Sequence, residues 1–313
     1  MKLAFIVDPL AQLKAYKDSS VAMMRAAQAR GHEVFAILRD DLRLRDGAVR
    51  ARAAHLSINA DEHAWYRETE ALDADLREFD AVLMRQDPPF DFEYVAATWM
   101  LERAQQQGAR IYNDPRAIRD HSEKLAITEF PQFTAPTLVA RAAEDLNAFI
   151  DEFGEVVLKP LDGMGGAGVF RVRHDDPNRY AIIEAVGQMG TRSVMAQRYI
   201  PEIANGDKRI LVVAGEVMPY SLARIPRAGE SRGNLAAGGR GEARPLSERD
   251  RAIGEALAPM LWQRGLLIVG LDVIGDYLTE VNVTSPTCMV EIQQQTGFNV
   301  AERVIAALER RSD

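Results

Sequence analysis

The chain has 313 residues, of which 47% are hydrophobic and 27% are charged, and its formal net charge at pH 7 is −8. This length accommodates two or three packed domains, and the composition is that of an ordinary globular protein. The negative charge argues against nucleic acid as the main partner, because neutralising phosphates requires clustered Lys and Arg. It still allows a local basic pocket that binds a small anion.

The sequence contains no apolar run near the roughly 18 residues that a membrane helix needs, so no membrane partner is expected. The first residues, MKLAFIVDPLAQLK, predict a strand rather than a signal peptide, because Asp8 and Pro9 interrupt the apolar segment. Cys288 is the one cysteine, which excludes an intrachain disulfide and fits a reducing cytosol. We therefore expect a cytoplasmic protein.

Strands and helices alternate over the first 120 residues. Strands are predicted at residues 2–7, 33–38, 80–85 and 109–113. A helix follows the first strand, with Ser19 or Ser20 as its N-cap and Gly31 just past its end, and FEYVAATWMLERAQQQG predicts another. This order implies a mostly parallel sheet with helices on its faces, and such sheets bind ligands beyond the carboxyl ends of their strands. Arg85 stands at such an end, before QDPPFD, and is a candidate for binding a carboxylate.

From about residue 122 the pattern changes to closely spaced strands joined by hairpins. SEKLAITEF predicts a short helix that carries Lys124. Further strands are predicted at residues 155–160, 168–173, 193–200, 209–215 and 216–225. After a polar, glycine-rich segment at 226–245, we expect a capped helix over 247–265 that bends at Pro259, two more strands, and a terminal helix near 299–311.

The stretch LKPLDGMGGAGVF, residues 158–170, contains four glycines in six positions, and three of them match G-x-G-x-x-G. A dinucleotide site needs a helix after the last glycine, but VFRVRH predicts a strand; the Lys and Ser or Thr of a Walker A loop are also missing. No H-R-D or D-F-G sequence completes a kinase. The stretch therefore predicts a hairpin tip whose backbone N–H groups approach phosphate, with Lys159 on the strand before it. A purely structural turn is the alternative.

The segment GLDVIGDYLTEVNVTSPT predicts two paired strands joined at Gly275. Glu280 and Asn282 are two residues apart and point to one face of the sheet, and the tight turn brings Asp272 opposite them. Two carboxylates and an amide oxygen suit a magnesium ion that is bound together with nucleotide phosphates. A solvated or salt-bridged sheet face is the alternative.

Residues 226–241 contain five glycines and the interspersed arginines Arg227, Arg232 and Arg240. The glycines suit a mobile lid, and the arginines favour one that faces an anion. A disordered surface loop remains the alternative on composition alone.

Taken together, the glycine hairpin, its flanking lysines and the Asp…Glu-x-Asn segment resemble the ATP-grasp superfamily. More specifically, the chain is similar, nearly from end to end, to the bacterial glutathione synthetase family. The segments that carry this similarity are MRQDPPFD, KPLDGMGGAGVFR, GDKRILVV, LARIPRAGESRGNLAAGGRGE and TEVNVTSPT. Gln86 departs from the family pattern, in which we expect a lysine. The resemblance implies an α/β and α+β fold. A parallel-sheet, Rossmann-like N-terminal domain (the pre-ATP-grasp domain, 1–121) would bind substrate. An ATP-grasp fold of two subdomains would follow, a central lid subdomain (122–200) and a C-terminal catalytic subdomain (201–313).

The resemblance implies a ligase that joins γ-L-glutamyl-L-cysteine to glycine through an acyl phosphate, converting ATP to ADP and phosphate, with Mg²⁺ or Mn²⁺ as its metal. Its ATP-binding residues would be Lys124, Lys159, Gly163, Gly165 and Gly166 at the phosphates, Gln197, Tyr199 and Ile200 at the adenine, and Asp207 at the ribose. Its metal ligands would be Asp272, Glu280 and Asn282. Its catalytic arginines would be Arg209, Arg224, Arg232 and Arg240, and its substrate contacts Ser19, Arg85, Asn234, Ser285 and Thr287. The family also suggests a homo-oligomer, a tetramer.

Two other functions share these features. Another ATP-grasp carboxylate–amine ligase, adding glutamate or extending a peptide, would use the same metal and lysine set. A non-catalytic ATP-binding regulator would lack metal ligands or reaction-centre arginines, and this sequence has both.

We expect Cys288 to be a small buried residue near the metal end rather than a nucleophile, since no histidine lies close in sequence to activate it. The five histidines show no ligand spacing, so none is assigned to a metal.

Overall fold

The computed structural model describes residues 1–163, 165–230, 233, 235 and 238–312, with 311 and 312 as backbone only. The strands form three sheets, of six, four and five strands. Helices cover these sheets, so the mixed α/β and α+β architecture expected from the sequence is confirmed. No helix in the described ranges is long and apolar enough to cross a membrane.

The first sheet is partly parallel. Its strands are β1 (Lys2–Val7), β2 (Glu33–Arg45), β3 (Ala48–Ile58), β4 (Tyr66–Asp75), β5 (Ala81–Met84) and β6 (Ile111–Tyr112). Their order is β4-β3-β2-β1-β5-β6; β2, β1, β5 and β6 are parallel, whereas β3 and β4 add an antiparallel edge. Strands β3 and β4 were not predicted, because β3 is rich in alanine and β4 is largely charged and exposed, as a protected edge strand is.

Three helices belong to this part of the chain: α1 (Ser19–Ala29), α2 (Phe92–Gln106) and α3 (Pro115–Asp120). The N-cap of α1 is Asp18, whose carboxylate accepts the Val21 N–H at 2.8 Å, so the prediction of Ser19 or Ser20 was wrong by one residue. A carboxylate at this position also complements the helix dipole. Both serine hydroxyls are thereby left for other contacts.

The second sheet contains the glycine hairpin. It comprises β7 (Thr137–Ala140), β8 (Glu155–Pro160), β9 (Phe170–Arg173) and β10 (Val194–Arg198), with α4 (Ala143–Phe153) and α5 (Arg179–Val186) on one face. The order is β7-β10-β8-β9, and every neighbouring pair is antiparallel. The short helix predicted for SEKLAITEF is present as a 3₁₀ helix over Leu125–Glu129, with Lys124 at its N-cap.

The third sheet forms the floor of a cleft that lies where the three sheets meet. Its strands are β11 (Asp207–Val213), β12 (Glu216–Ile225), β13 (Arg240–Pro245), β14 (Ile268–Ile274) and β15 (Tyr277–Asn282), in the order β13-β12-β11-β14-β15. The helices are α6 (Glu248–Gln263), α7 (Met289–Thr296) and α8 (Val300–Ser312). The predicted cap of α6 is confirmed as a reciprocal Ser247–Asp250 capping box, and the helix continues past Pro259. Neither α7 nor β13 was predicted from the sequence.

One hydrophobic core joins the first and third sheets. Leu3 and Phe5 of β1 and Met23 of α1 belong to the same buried cluster as Val304 and Leu308 of α8. The second sheet has its own core between α4, α5 and its strands. The domain boundaries predicted at 121/122 and 200/201 remain predictions. In the packing, the first sheet shares its core with α8.

Candidate active site

A cleft lies where the three sheets meet. The first sheet contributes Asp87, the second Lys159 and Gln197, and the third Asp272 and Glu280. Most of the sequence-predicted residues line this cleft: Lys124, Lys159, Gly163, Gly165, Gly166, Gln197, Tyr199, Ile200, Asp207, Arg209, Arg224, Asp272, Glu280, Asn282, Ser285 and Thr287. Residues up to 200 positions apart in the sequence, Asp87 and Thr287, thus converge on one site.

The glycine stretch is a hairpin loop, as predicted. It joins β8 to β9, which pair antiparallel with Leu158 opposite Phe170. Gly165 and Gly166 have φ of 63° and 79°, a region that side chains disfavour. A Cβ on Gly163 would come within 2.8 Å of Pro160 Cγ, so this position also needs glycine.

Two buried lysines lie beneath this loop. Lys124 Nζ donates to the Gly163 carbonyl and lies 3.4 Å from Glu280 Oε1. Lys159 Nζ donates to Gln197 Oε1 at 3.3 Å. Burial, with the nearby Lys124 charge, lowers the pKa of Lys159. Two cations in one buried spot favour an anionic ligand between them and the loop.

The segment from Gln197 to Ile200 forms a narrow wall of the cleft. The Gln197 side chain is buried between Lys159 and Thr137, whose hydroxyl accepts its amide N–H at 3.0 Å. The Tyr199 N–H donates to the Glu155 carbonyl, so it is engaged within the protein. Among the described residues, the Ile200 N–H has no hydrogen-bond acceptor and is the donor that this wall can offer a ligand.

Four charged side chains form a buried network on the floor. Arg209 donates to both oxygens of Asp272, at 2.5 and 2.9 Å. Arg224 bridges Asp272 (2.9 Å) and Asp207 (2.6 Å). Burial alone would raise the pKa of Asp272, but the two guanidinium groups hold it below its usual range. Burial raises the pKa of Asp207, whose Oδ1 is buried without a partner in the described structure.

The donor set at the end of β14 and β15 is entirely oxygen. Asp272 pairs with Glu280 across the strands, as predicted, while Asn282 pairs with Gly270. Asn282 donates its amide N–H to the Gly270 carbonyl at 3.3 Å, which leaves its amide oxygen as an acceptor. A carboxylate offers about four lone-pair sites, and the arginines use three on Asp272. Two carboxylates and one amide oxygen therefore fit a hard divalent cation. Among the described residues, no three His, Cys, Asp or Glu side chains gather into a metal cluster by themselves.

Arg85 and Ser19 do not line the cleft. Arg85 is buried, and it donates to the Pro286 carbonyl at 2.8 Å and to Ser20 Oγ at 3.3 Å. The Ser19 hydroxyl accepts the Met289 N–H at 3.2 Å. Both residues hold the segment between β15 and α7 from beneath, so the structure places them as supports of Ser285 and Thr287 rather than in direct reach of the cleft.

The same segment is held by two residues that the sequence analysis missed. Glu123 Oε1 accepts from the Val283 N–H, the Thr284 N–H and the Thr284 hydroxyl, at 2.9 to 3.1 Å. Asn113 donates to the Val283 carbonyl and exchanges hydrogen bonds with Ile268. These contacts join positions more than 150 residues apart, and no local sequence motif predicts them.

The glycine-rich segment after β12 is described only in part. Arg232 and Asn234, predicted for catalysis and substrate binding, lie outside the described residues. Arg240 begins β13, where its exposed side chain pairs with Glu242 at 3.1 Å instead of facing the cleft. Arg227 donates to the Gly238 carbonyl at 2.6 Å, so it closes this segment on itself.

Gln86 and Cys288 have distinct surroundings. The Gln86 Oε1 is buried and accepts no hydrogen bond within the described ranges. Cys288 is buried with φ of 86°, and burial raises the pKa of its thiol, so it is a poor nucleophile. The expectation of a buried, unreactive cysteine near the metal end agrees with this placement.

Most residues that line the cleft lie in the region that matches an ATP-grasp domain, residues 123–297, so the chain is a member of the ATP-grasp class of ligases. Two solved structures share the fold over the whole chain: the D-cycloserine synthetase DcsG (TM-score 0.71, 17% identity, 100% of both chains) and the ATP-grasp ligase PsnB with a precursor peptide and AMPPNP (TM-score 0.64, 16% identity, 100% of this chain and 97% of that one).

The family follows from closer matches. The prokaryotic glutathione synthetase N-terminal domain matches residues 1–119, and the ATP-grasp domain of the same synthetase matches residues 123–297. Proteins named glutathione synthetase are similar over nearly their whole length. Those of Ralstonia nicotianae (61% identity, 99% of this chain, 96% of the relative), Bordetella pertussis (62%, 99% and 99%) and Nitrosomonas europaea (55%, 99% and 98%) are examples. The chain belongs to the prokaryotic glutathione synthetase family.

Proposed function

We propose that this protein joins γ-L-glutamyl-L-cysteine to glycine, forming glutathione, ADP and phosphate. Family membership over the whole chain carries the proposal. The cleft supports it because buried lysines, paired arginines and an oxygen donor set are what phosphoryl transfer to a carboxylate requires.

The reaction needs an activated carboxylate, since a free carboxylate is a poor acyl donor. The cysteinyl carboxylate takes the γ-phosphoryl group of ATP, and the glycine amine then attacks the acyl phosphate and releases phosphate. No protein nucleophile is required, because positioning and charge neutralisation lower the barrier. Arg209 and Arg224 would face the developing charge, held in place by Asp272.

The nucleotide would lie between the second and third sheets. Lys124, Lys159 and the glycine hairpin would hold the phosphates, and the Ile200 N–H would donate to the adenine ring. Asp207, with its unpartnered Oδ1, would accept a hydrogen bond from a ribose hydroxyl. The apolar residues Val157 and Ile274 line the same cleft and suit a flat purine.

The oxygen donors of Asp272, Glu280 and Asn282 would hold Mg²⁺, with Mn²⁺ as a substitute. When bound, the metal neutralises phosphate oxygens and keeps the transferred group aligned. Removal of divalent cations with EDTA should abolish turnover, and added Mg²⁺ should restore it; turnover in EDTA would contradict the metal assignment.

Water must be excluded from the acyl phosphate, which otherwise hydrolyses. The glycine-rich segment at 226–241, with Arg232, Asn234 and Arg240, is proposed to close over the substrate. Ser285 and Thr287, at the other wall, would contact the peptide, and Arg85 and Ser19 would act on it through the segment they support.

The test is phosphate release by the purified chain. Release should require γ-glutamylcysteine and rise strongly with glycine, but not with glutamate or D-alanine. If glycine gives no stimulation and another amine does, the chain is a different ATP-grasp carboxylate–amine ligase. If no amine stimulates release while ATP still binds, the protein is a non-catalytic ATP binder.

A homo-oligomer, with a tetramer as the family expectation, and a cytoplasmic location remain proposals. On α2, Phe92 and Trp99 are 70% and 50% exposed, and their rings contact edge to face with centroids 5.8 Å apart, which gives one apolar surface that a second copy could cover. Light scattering after gel filtration measures the oligomeric state.

A further inference from the structure

The carboxylates of the cleft differ in how they are neutralised. Those on the cleft floor, Asp207, Asp272 and Glu280, each face a lysine or arginine within 4 Å. Glu123 is satisfied by three N–H and O–H donors. Asp87 is the remaining carboxylate on the wall, and no lysine or arginine of the described residues lies within ion-pair distance of it.

Asp87 is nevertheless held firmly. Its backbone N–H donates to Asp8 Oδ2 at 3.0 Å, and its side chain hydrogen-bonds with Ser285. The nearby cation, Arg85, makes no ion pair with it: Arg85 donates from Nε to Ser20 and from one Nη to Pro286, and its other Nη is buried without a hydrogen-bond partner among the described residues. The Asp87 side chain is exposed to the cleft. An anchored, unpaired carboxylate on the wall of a binding cleft is a receptor for a cation.

The proposed peptide substrate brings such a cation. Its reacting cysteinyl carboxylate must lie at the phosphates and arginines, which belong to the second and third sheets. Its glutamyl end carries an α-ammonium group and extends away from the reacting carbon. Asp87 follows β5 of the first sheet. It therefore lies on the wall of the cleft that provides neither the proposed nucleotide-binding residues nor the proposed metal ligands.

We propose that Asp87 binds the α-ammonium group of the glutamyl residue and thereby selects peptides with a free amino end. This inference rests on the proposed function and names a specificity-determining contact for it. Ser285 holds the carboxylate toward the cleft, and Asp8 fixes its backbone.

The experiment compares two substrates on two proteins. Glutaryl-cysteine lacks only the α-ammonium group of γ-glutamylcysteine. The wild type should lose about 10- to 100-fold in kcat/KM with glutaryl-cysteine, the range for a hydrogen bond to a charged group. In Asp87→Asn the two substrates should differ by less than about threefold, with the KM for ATP and for glycine unchanged.

Asp91→Asn is the matched control. Asp91 belongs to the same QDPPFD segment but does not line the cleft, and asparagine preserves its N-cap on α2. This variant should discriminate between the substrates as the wild type does. Unchanged KM for ATP in Asp87→Asn shows that the cleft is intact.

Two results would overturn the inference. Asp87→Asn could retain the full preference for the ammonium-bearing peptide, or it could raise the KM for glycine and leave the peptide unaffected, which would assign Asp87 to the acceptor amine. If the wild type fails to use γ-glutamylcysteine at all, the proposed function is wrong and this inference falls with it.

Discussion

Glu123 connects the start of the ATP-grasp region to the segment that carries the substrate wall. Replacing it with alanine removes the acceptor of two buried backbone N–H groups, those of Val283 and Thr284. Each stranded N–H costs about 1–3 kcal/mol, so the loss is about 2–6 kcal/mol. The carboxylate itself is buried and carries a desolvation penalty that its removal relieves. We therefore expect a loss in the lower part of that range, about 2–4 kcal/mol.

Glutamine retains an acceptor oxygen at this position, so Glu123→Gln should cost no more than about 1 kcal/mol. Thermal unfolding in EDTA measures both variants, and Glu123→Ala should lower Tm by at least about 4 °C. Glu129→Ala, in the 3₁₀ helix that begins shortly after Glu123, is the control: it breaks a half-exposed pair with Arg264 and should cost less than about 1 kcal/mol. Two results would contradict the role of Glu123 as an acceptor for these N–H groups. One is a Tm of Glu123→Ala equal to that of Glu129→Ala, and the other is a loss of stability in Glu123→Gln as large as that in Glu123→Ala.

The same residue gives a pH dependence with a definite sign. Burial raises the pKa of folded Glu123 above its ordinary value of 4.5. Its contribution to stability is therefore complete below the unfolded pKa and is lost as the pH rises through the folded pKa. The Tm of the wild type should fall relative to that of Glu123→Gln as the pH rises above about 4.5. A constant difference over this window would contradict the raised pKa.

Three further outcomes are expected. Because burial lowers the pKa of Lys159, the nucleotide affinity of the wild type should weaken at a lower pH than an ordinary lysine would allow. Calorimetry should find that the affinity of Lys159→Arg depends less on pH, and equal pH profiles would contradict the assignment. Glu280→Gln should lower turnover by orders of magnitude and raise the Mg²⁺ concentration needed for half-maximal rate, whereas near-wild-type turnover would remove it from the metal ligands. Gly233→Ala should lower kcat, since its Cβ would lie 2.4 Å from the Arg224 carbonyl and 2.9 Å from Asp207 Cβ; unchanged kcat would show that this backbone yields freely.

Local features of the site were predictable from the sequence. The strand after the glycines excluded a dinucleotide fold, and the two-residue turn at Gly275 and Asp276 correctly predicted that β14 and β15 pair. The turn by itself would place Thr279 opposite Asp272; a register shift between Asp272 and Val273, for which the sequence carries no signal, brings Glu280 there instead. Such features depend on contacts between near neighbours in the chain, where turn chemistry and the two-residue strand period decide the outcome.

The long-range supports were not predictable. Arg85 stands at the carboxyl end of a strand, as expected, but its guanidinium is occupied by Pro286, which is 201 residues away. Glu123 and Asn113 carry no local signal because their partners are backbone groups of the segment after β15. Gly270 is an exception, because its residue type indicates such a long-range contact in the sequence. A Cβ at this position would lie 2.8 Å from Arg209 Cδ and 2.9 Å from Pro286 Cβ. A glycine inside an otherwise β-branched strand marks such a close approach.

The sharing of one core between the first sheet and the last helix has a consequence for how the chain is made. During synthesis the amino-terminal strands leave the ribosome first, and domains normally fold in that order. Here the apolar face of α1 is covered by Val304 and Leu308 of α8, which are translated long after α1. A nascent chain of the first 121 residues can bury the core between the first sheet and α2, but the α1 side of the sheet stays uncovered and should remain sensitive to protease until α8 emerges.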